Sequence, residues 1–168
     1  MTTVFIIGLF LAFFLDGSIS QMFSGVFYSY PNSMVPYLTM LWLILTLYFV
    51  DFKKLHIELW AAIIGFLFDM YYTGILGIYL FAFPLVVYIC RKIYNALPQN
   101  FLSGFLVYFL GITILVGLGY FANDFIGLTN TSVSVFLVNI LAPTLAINLI
   151  FFLIFYFPID SLYMSRRR

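Results

Sequence analysis

The sequence predicts an all-α integral membrane protein of six transmembrane helices, and three observations carry that prediction. Hydrophobic residues make up 65% of the chain and charged residues only 8%, where a soluble domain carries about 25% charged residues. The apolar residues fall into runs of roughly membrane-spanning length, about 20 residues each, separated by polar or Gly- and Pro-containing breaks. All seven Lys and Arg residues sit in three short segments that alternate with those runs. With 168 residues, six spans leave little for loops, so a soluble domain is excluded and 1–168 reads as one transmembrane domain.

Residues 4–19 form the first run; it lacks a positively charged leader and a small-residue cleavage site, so it is expected to be a retained helix. The aromatic, Ser-containing stretch 20–33 has the composition of the headgroup zone and is expected at the surface. The second span is expected over 35–50 and the third over 57–72. A tight turn at Thr73-Gly74 leads to the fourth, 75–94, which Pro84 should kink. The fifth covers 101–121 and the sixth 133–157, with Pro143 inside it. Placing the N-terminus inside puts Lys53, Lys54, Arg91, Lys92 and Arg166 to Arg168 all on the cytoplasmic side. That satisfies the positive-inside rule with both termini cytoplasmic.

Asp16 and Asp69 are carboxylates within apolar helices, a costly placement that directs such groups toward protein or a polar cavity. Each closes a stripe at i, i+4, i+8 spacing: Gly8, Ala12, Asp16, Ser20 in the first span and Ala61, Gly65, Asp69, Thr73 in the third. Residues so spaced share a helix face, and small residues there let helices approach closely in lipid. The two stripes are offset by 53 residues on helices that run the same way, so both carboxylates are expected toward the outer leaflet. Three roles are open to them: fixing helix packing by hydrogen bonds, contacting a partner helix, or relaying a proton or substrate. In the sixth span Pro143 removes the hydrogen bond that the Asn139 carbonyl would accept, and Asn148 follows; kinked packing satisfied by neighbours is the expected outcome.

Other chemistry finds little support. Cys90 is the single cysteine, which excludes an internal disulfide and a Cys-x-x-Cys motif; it is expected to pack in a helix. His56 stands alone at the cytoplasmic boundary, without the several ligands a metal site needs. The scattered basic groups make no nucleic-acid footprint. A nucleophile with a base, a His-Glu-x-x-His site, and Walker or Rossmann glycines are absent, so the protein reads as non-enzymatic and calls for no cofactor.

The stretch Gly65-Phe-Leu-Phe-Asp69-Met-Tyr-Tyr-Thr-Gly74-Ile-Leu-Gly77, continuing to Pro84, resembles the signature of the bacterial rod shape-determining MreD family. Its pattern is a Gly, an Asp four residues on, and a Gly-x-x-Gly turn into an apolar helix. The length, six-helix plan, Asp16-Gly17 and basic C-terminus are also similar, so the likeness spans the chain. It implies a plasma-membrane scaffold of cell-wall elongation, acting on cell shape and peptidoglycan synthesis with MreC and the wall synthases, and leaves room for a homodimer. It also implies an architecture similar to the S components of energy-coupling-factor vitamin transporters. From those comes an alternative, a small-molecule-binding transport subunit, for which Asn123, Asp124 and Asn130 are the best polar groups in the outer loops. An ion-coupled carrier using Asp16 and Asp69 is a third reading.

Overall fold

The computed structural model describes residues 2–49 and 55–164. Lys53, Lys54 and Arg166 to Arg168, on which much of the charge pattern rests, lie outside the described residues. Every regular element among the described residues is helical. The order is α1 (Thr2–Met22), α2 (Ser24–Phe27), α3 (Leu38–Phe49), α4 (Ile57–Phe68), α5 (Ile78–Ala96), α6 (Phe101–Phe125), α7 (Val133–Phe136) and α8 (Ala142–Met164). Wide π turns at Asp69–Thr73 and Leu137–Leu141 follow α4 and α7.

Thr2–Met22, Ile78–Ala96, Phe101–Phe125 and the joined helix Val133–Tyr163 are long and apolar enough to cross a membrane. The other two expected spans are helical but shorter, α3 and α4 having 12 residues each. The second span was expected from residue 35, yet α3 begins at Leu38 and 35–37 is not helical. Pro36 explains the difference, because the residue before a proline is driven away from the helical region. Stretch 20–33 is also partly helical, as the end of α1 and α2. Elsewhere helices run past the expected ends. α6 reaches Phe125, and α8 continues through Pro158 to Met164. Pro84 sits inside an uninterrupted α5.

A helix that is apolar on every side suits either a core or a membrane span, and α3 takes the core. All of its residues from Leu38 to Tyr48 are buried. α1, α5, α6 and α8 pack around it, while α4 packs on α5 and α1. Polar links are few and specific: Trp42 Nε1 donates to the Phe5 carbonyl of α1 (3.1 Å), and the hydroxyls of Thr46 and Tyr163 join α3 to α8 (3.0 Å). Where α3, α5 and α6 meet, Gly111 admits Ile44 and the buried Cys90; a methyl group there would stand 2.8 Å from Ile44 and 2.9 Å from the Cys90 sulfur. Between α1 and α8 an apolar groove of about 410 Å³ is left open, floored by Leu38, Leu41 and Trp42 of α3.

Candidate functional site

Asp16 lies within α1 and Asp69 opens the π turn that ends α4, and both are buried, Asp16 2% and Asp69 0% exposed. The first N–H groups of a helix have no partner within it, and each carboxylate supplies that partner to another helix. Asp16 Oδ1 accepts from the Leu38 N–H (2.6 Å) and Oδ2 from the Thr39 N–H (2.9 Å), which closes the start of α3. Asp69 accepts from Gly77 (2.8 Å) and Leu80 (3.0 Å) on Oδ2 and from Tyr79 (2.9 Å) on Oδ1, which closes the start of α5. A negative group at a helix N-terminus also meets the positive end of the helix dipole. The two carboxylates thus serve two separate helix ends.

The residues around Asp69 form one device. Gly74 (φ 69°) and Gly77 (φ 113°) take backbone angles that L side chains rarely adopt, and so turn the chain back toward Asp69. The Gly74 N–H and the Thr73 hydroxyl both donate to the Asp69 carbonyl, at 2.8 and 3.1 Å. One turn earlier, a methyl group on Gly65 would collide with the Tyr79 carbonyl, so glycine there lets α4 and α5 touch backbone to backbone. At the far end of the same hairpin, Arg91 pairs with Glu58 at 2.8 Å; both are part exposed, so this pair contributes little.

The first stripe is organised the same way around α3. A methyl group on Gly8 would strike the Trp42 ring, and Gly17 leaves room for the Tyr72 ring, whose hydroxyl donates to the Phe13 carbonyl at 2.6 Å. Phe68 joins the two carboxylate sites. Its ring lies 4.7 Å from Tyr72, 5.3 Å from Tyr79, 5.2 Å from Phe83 and 6.2 Å from Tyr37, centre to centre. Beside these rings a cavity of about 240 Å³ is bounded by Asp16, Tyr28, Tyr37, Tyr72, Thr73 and Tyr79.

A third polar knot holds the non-helical 33–37 segment against α8, and the sequence pointed to only part of it. The Asn139 carbonyl freed by Pro143 accepts from the Ser33 N–H at 2.8 Å. Asn148 Oδ1 accepts from the Tyr37 N–H (2.8 Å) and the Tyr108 hydroxyl (3.1 Å), while its Nδ2 donates to the Val35 carbonyl (2.7 Å). The Thr144 hydroxyl contacts Val35 N and Ser33 O. Tyr37, Tyr79, Tyr108 and Thr144 went unnoticed in the sequence because each reads as an ordinary interface aromatic or helix hydroxyl. Of the outer-loop polar groups, Asn123 turns back to the Gly119 carbonyl of its own helix (2.8 Å). Among the described residues no cluster of three or more His, Cys, Asp or Glu side chains could hold a metal ion.

The model of the rod shape-determining protein MreD family matches residues 1–166. The chain belongs to the MreD family. Among its relatives, the rod shape-determining protein MreD of Bacillus subtilis (strain 168) is 26% identical over 158 residues, covering 94% of this chain and 91% of the relative. The cell shape-determining protein MreD of Streptococcus pneumoniae (strain R6) is 27% identical over 159 residues, with 93% and 94% covered. No solved structure matches the chain. Membership in MreD makes this a cell shape-determining protein, and its relatives are named for that role rather than for a reaction. Gly65, Asp69, Gly74 and Gly77, the residues that carried the resemblance, are the ones that build the α4–α5 hairpin.

Proposed function

We propose that this protein is a non-enzymatic scaffold subunit of the cell-wall elongation machinery in the bacterial plasma membrane, acting on peptidoglycan synthesis through MreC and the wall synthases. The observation that carries this reading is the MreD match over almost the whole chain. The use made of the two intramembrane carboxylates supports it. Asp16 and Asp69 hold helix ends of their own chain, as suits a rigid scaffold, whereas a proton or ion relay needs such groups free to exchange partners. Six crossings with both termini cytoplasmic place every Lys and Arg on one side. In mild detergent the protein should co-purify with MreC or a wall synthase; recovery alone, as monomer or homodimer, under several mild conditions would overturn the proposal.

The cavity beside Asp16 favours a second reading, an S-component-like transport subunit. Its volume of about 240 Å³ falls short of the roughly 300–1,000 Å³ of sites for drug-sized ligands, which counts against a vitamin. A vitamin found by mass spectrometry of the purified protein, together with an associated ATPase module, would reverse that preference.

A further inference from the structure

We propose that the cavity beside Asp16 is an aromatic cage for a small organic ammonium group that carries a nearby oxygen, as ethanolamine and choline do. The electrostatics of its wall favour a cation. Tyr28, Tyr37, Phe68, Tyr72 and Tyr79 line it together with Asp16, and no Lys, Arg or His does. Aromatic rings present a negative face, and organic cations bind among such faces, best where water is excluded. Asp16 adds a buried carboxyl group. A carboxylate offers about four acceptor positions, and the Leu38 and Thr39 N–H groups occupy two. The end of α3 brings only about half a unit of positive charge against it.

The oxygen follows from the phenols. Tyr37 and Tyr79 hydroxyls share one hydrogen bond of 3.1 Å, so of their two protons one remains over, on a pair of residues that border the cavity along with Tyr28. A ligand oxygen next to the cation would accept that proton. The size agrees, since about 240 Å³ is less than a drug-sized ligand takes. Such a group occurs in two sources, a free solute and a phospholipid headgroup.

Choline and its uncharged carbon analogue 3,3-dimethylbutan-1-ol separate charge from shape, and both can be titrated calorimetrically into the detergent-purified full chain. Choline should bind saturably and the neutral alcohol roughly tenfold or more weakly. Tyr28 is half exposed, so Tyr28→Leu should fold normally, with unchanged helicity and melting temperature, yet weaken choline roughly tenfold, while Tyr28→Phe keeps the ring and the affinity. Equal binding of the neutral alcohol, unchanged choline affinity in Tyr28→Leu, or a cavity that takes up no choline and holds only water would each overturn the cage. In nanodiscs, choline competing with phosphatidylethanolamine but not phosphatidylglycerol would identify the headgroup as occupant, and indifference to lipid would identify a free solute; both uphold the cage. None of these readouts involves MreC or a synthase, so failure here leaves the scaffold reading standing.

Discussion

At the scale of single residues, Asp16 and Asp69 differ in how many donors depend on them, two for Asp16 and three for Asp69. Leaving a buried donor without its partner costs about 1–3 kcal/mol, a large share of the roughly 5–15 kcal/mol that holds a typical domain folded. Asp69→Leu should therefore lower the melting temperature in detergent strongly or abolish recovery of folded protein. Asp69→Asn keeps an oxygen that can accept, so it should be distinctly milder. Gly77→Ala should fall between the two, because φ 113° costs a side chain about 1–3 kcal/mol while the carboxylate stays in place. Wild-type melting of Asp69→Leu would mean that water or a neighbouring side chain closes α5 just as well.

At the scale of elements, the α4–α5 hairpin was legible and the 33–37 segment was not. Glycine and an intramembrane aspartate are rare enough at fixed spacing to mark positions, so Gly65, Asp69, Gly74 and Gly77 stood out before any contact was known. Which N–H groups Asp16 would close could not be read, since Leu38 lies 22 residues away and nothing along the chain encodes that meeting. Residues 35–37 looked like helix because Val35 and Tyr37 continue the apolar run that begins at Leu38, and only Pro36 argued otherwise. The π turns at Asp69–Thr73 and Leu137–Leu141 leave no mark on hydropathy. The Asn139–Pro143 pair gave a true half of the third knot, an unpaired carbonyl, and the fold supplied Ser33 as its donor. Asn148 completes that knot, so Asn148→Leu should release 33–37 from α8. Hydrogen exchange should then quicken at Tyr37, whose N–H loses its acceptor, while the amides of α5 stay as protected as before. Unchanged exchange at Tyr37 would show that the segment is held by packing alone.

At the scale of the whole molecule, the short helices decide how many times the chain crosses the bilayer. α3 alone, at 12 residues, spans about 18 Å, well short of a hydrocarbon core of about 30 Å. Residues 35–37 are not helical and can add at most about 10 Å, enough to bring the segment close to the full thickness. Non-helical backbone is tolerated at that depth only where protein surrounds it and takes its hydrogen bonds, and Asn148 and Thr144 do so here. Residues 57–73 gain their length in the same way, the π turn extending α4 to about 25 Å. The proposed six crossings would put Ser24 and Asn130 outside and His56 and Gln99 inside, all four of them exposed on the protein surface. Cys90 is buried and can be replaced by alanine to give a background without thiols. In intact cells a membrane-impermeant maleimide should label Ser24→Cys and Asn130→Cys, and reach His56→Cys and Gln99→Cys only after lysis. Labelling of His56→Cys but not Ser24→Cys in intact cells would invert the chain. Labelling of both Ser24→Cys and His56→Cys would mean that the stretch through α3 does not cross, and that the knot on α8 holds a re-entrant segment instead.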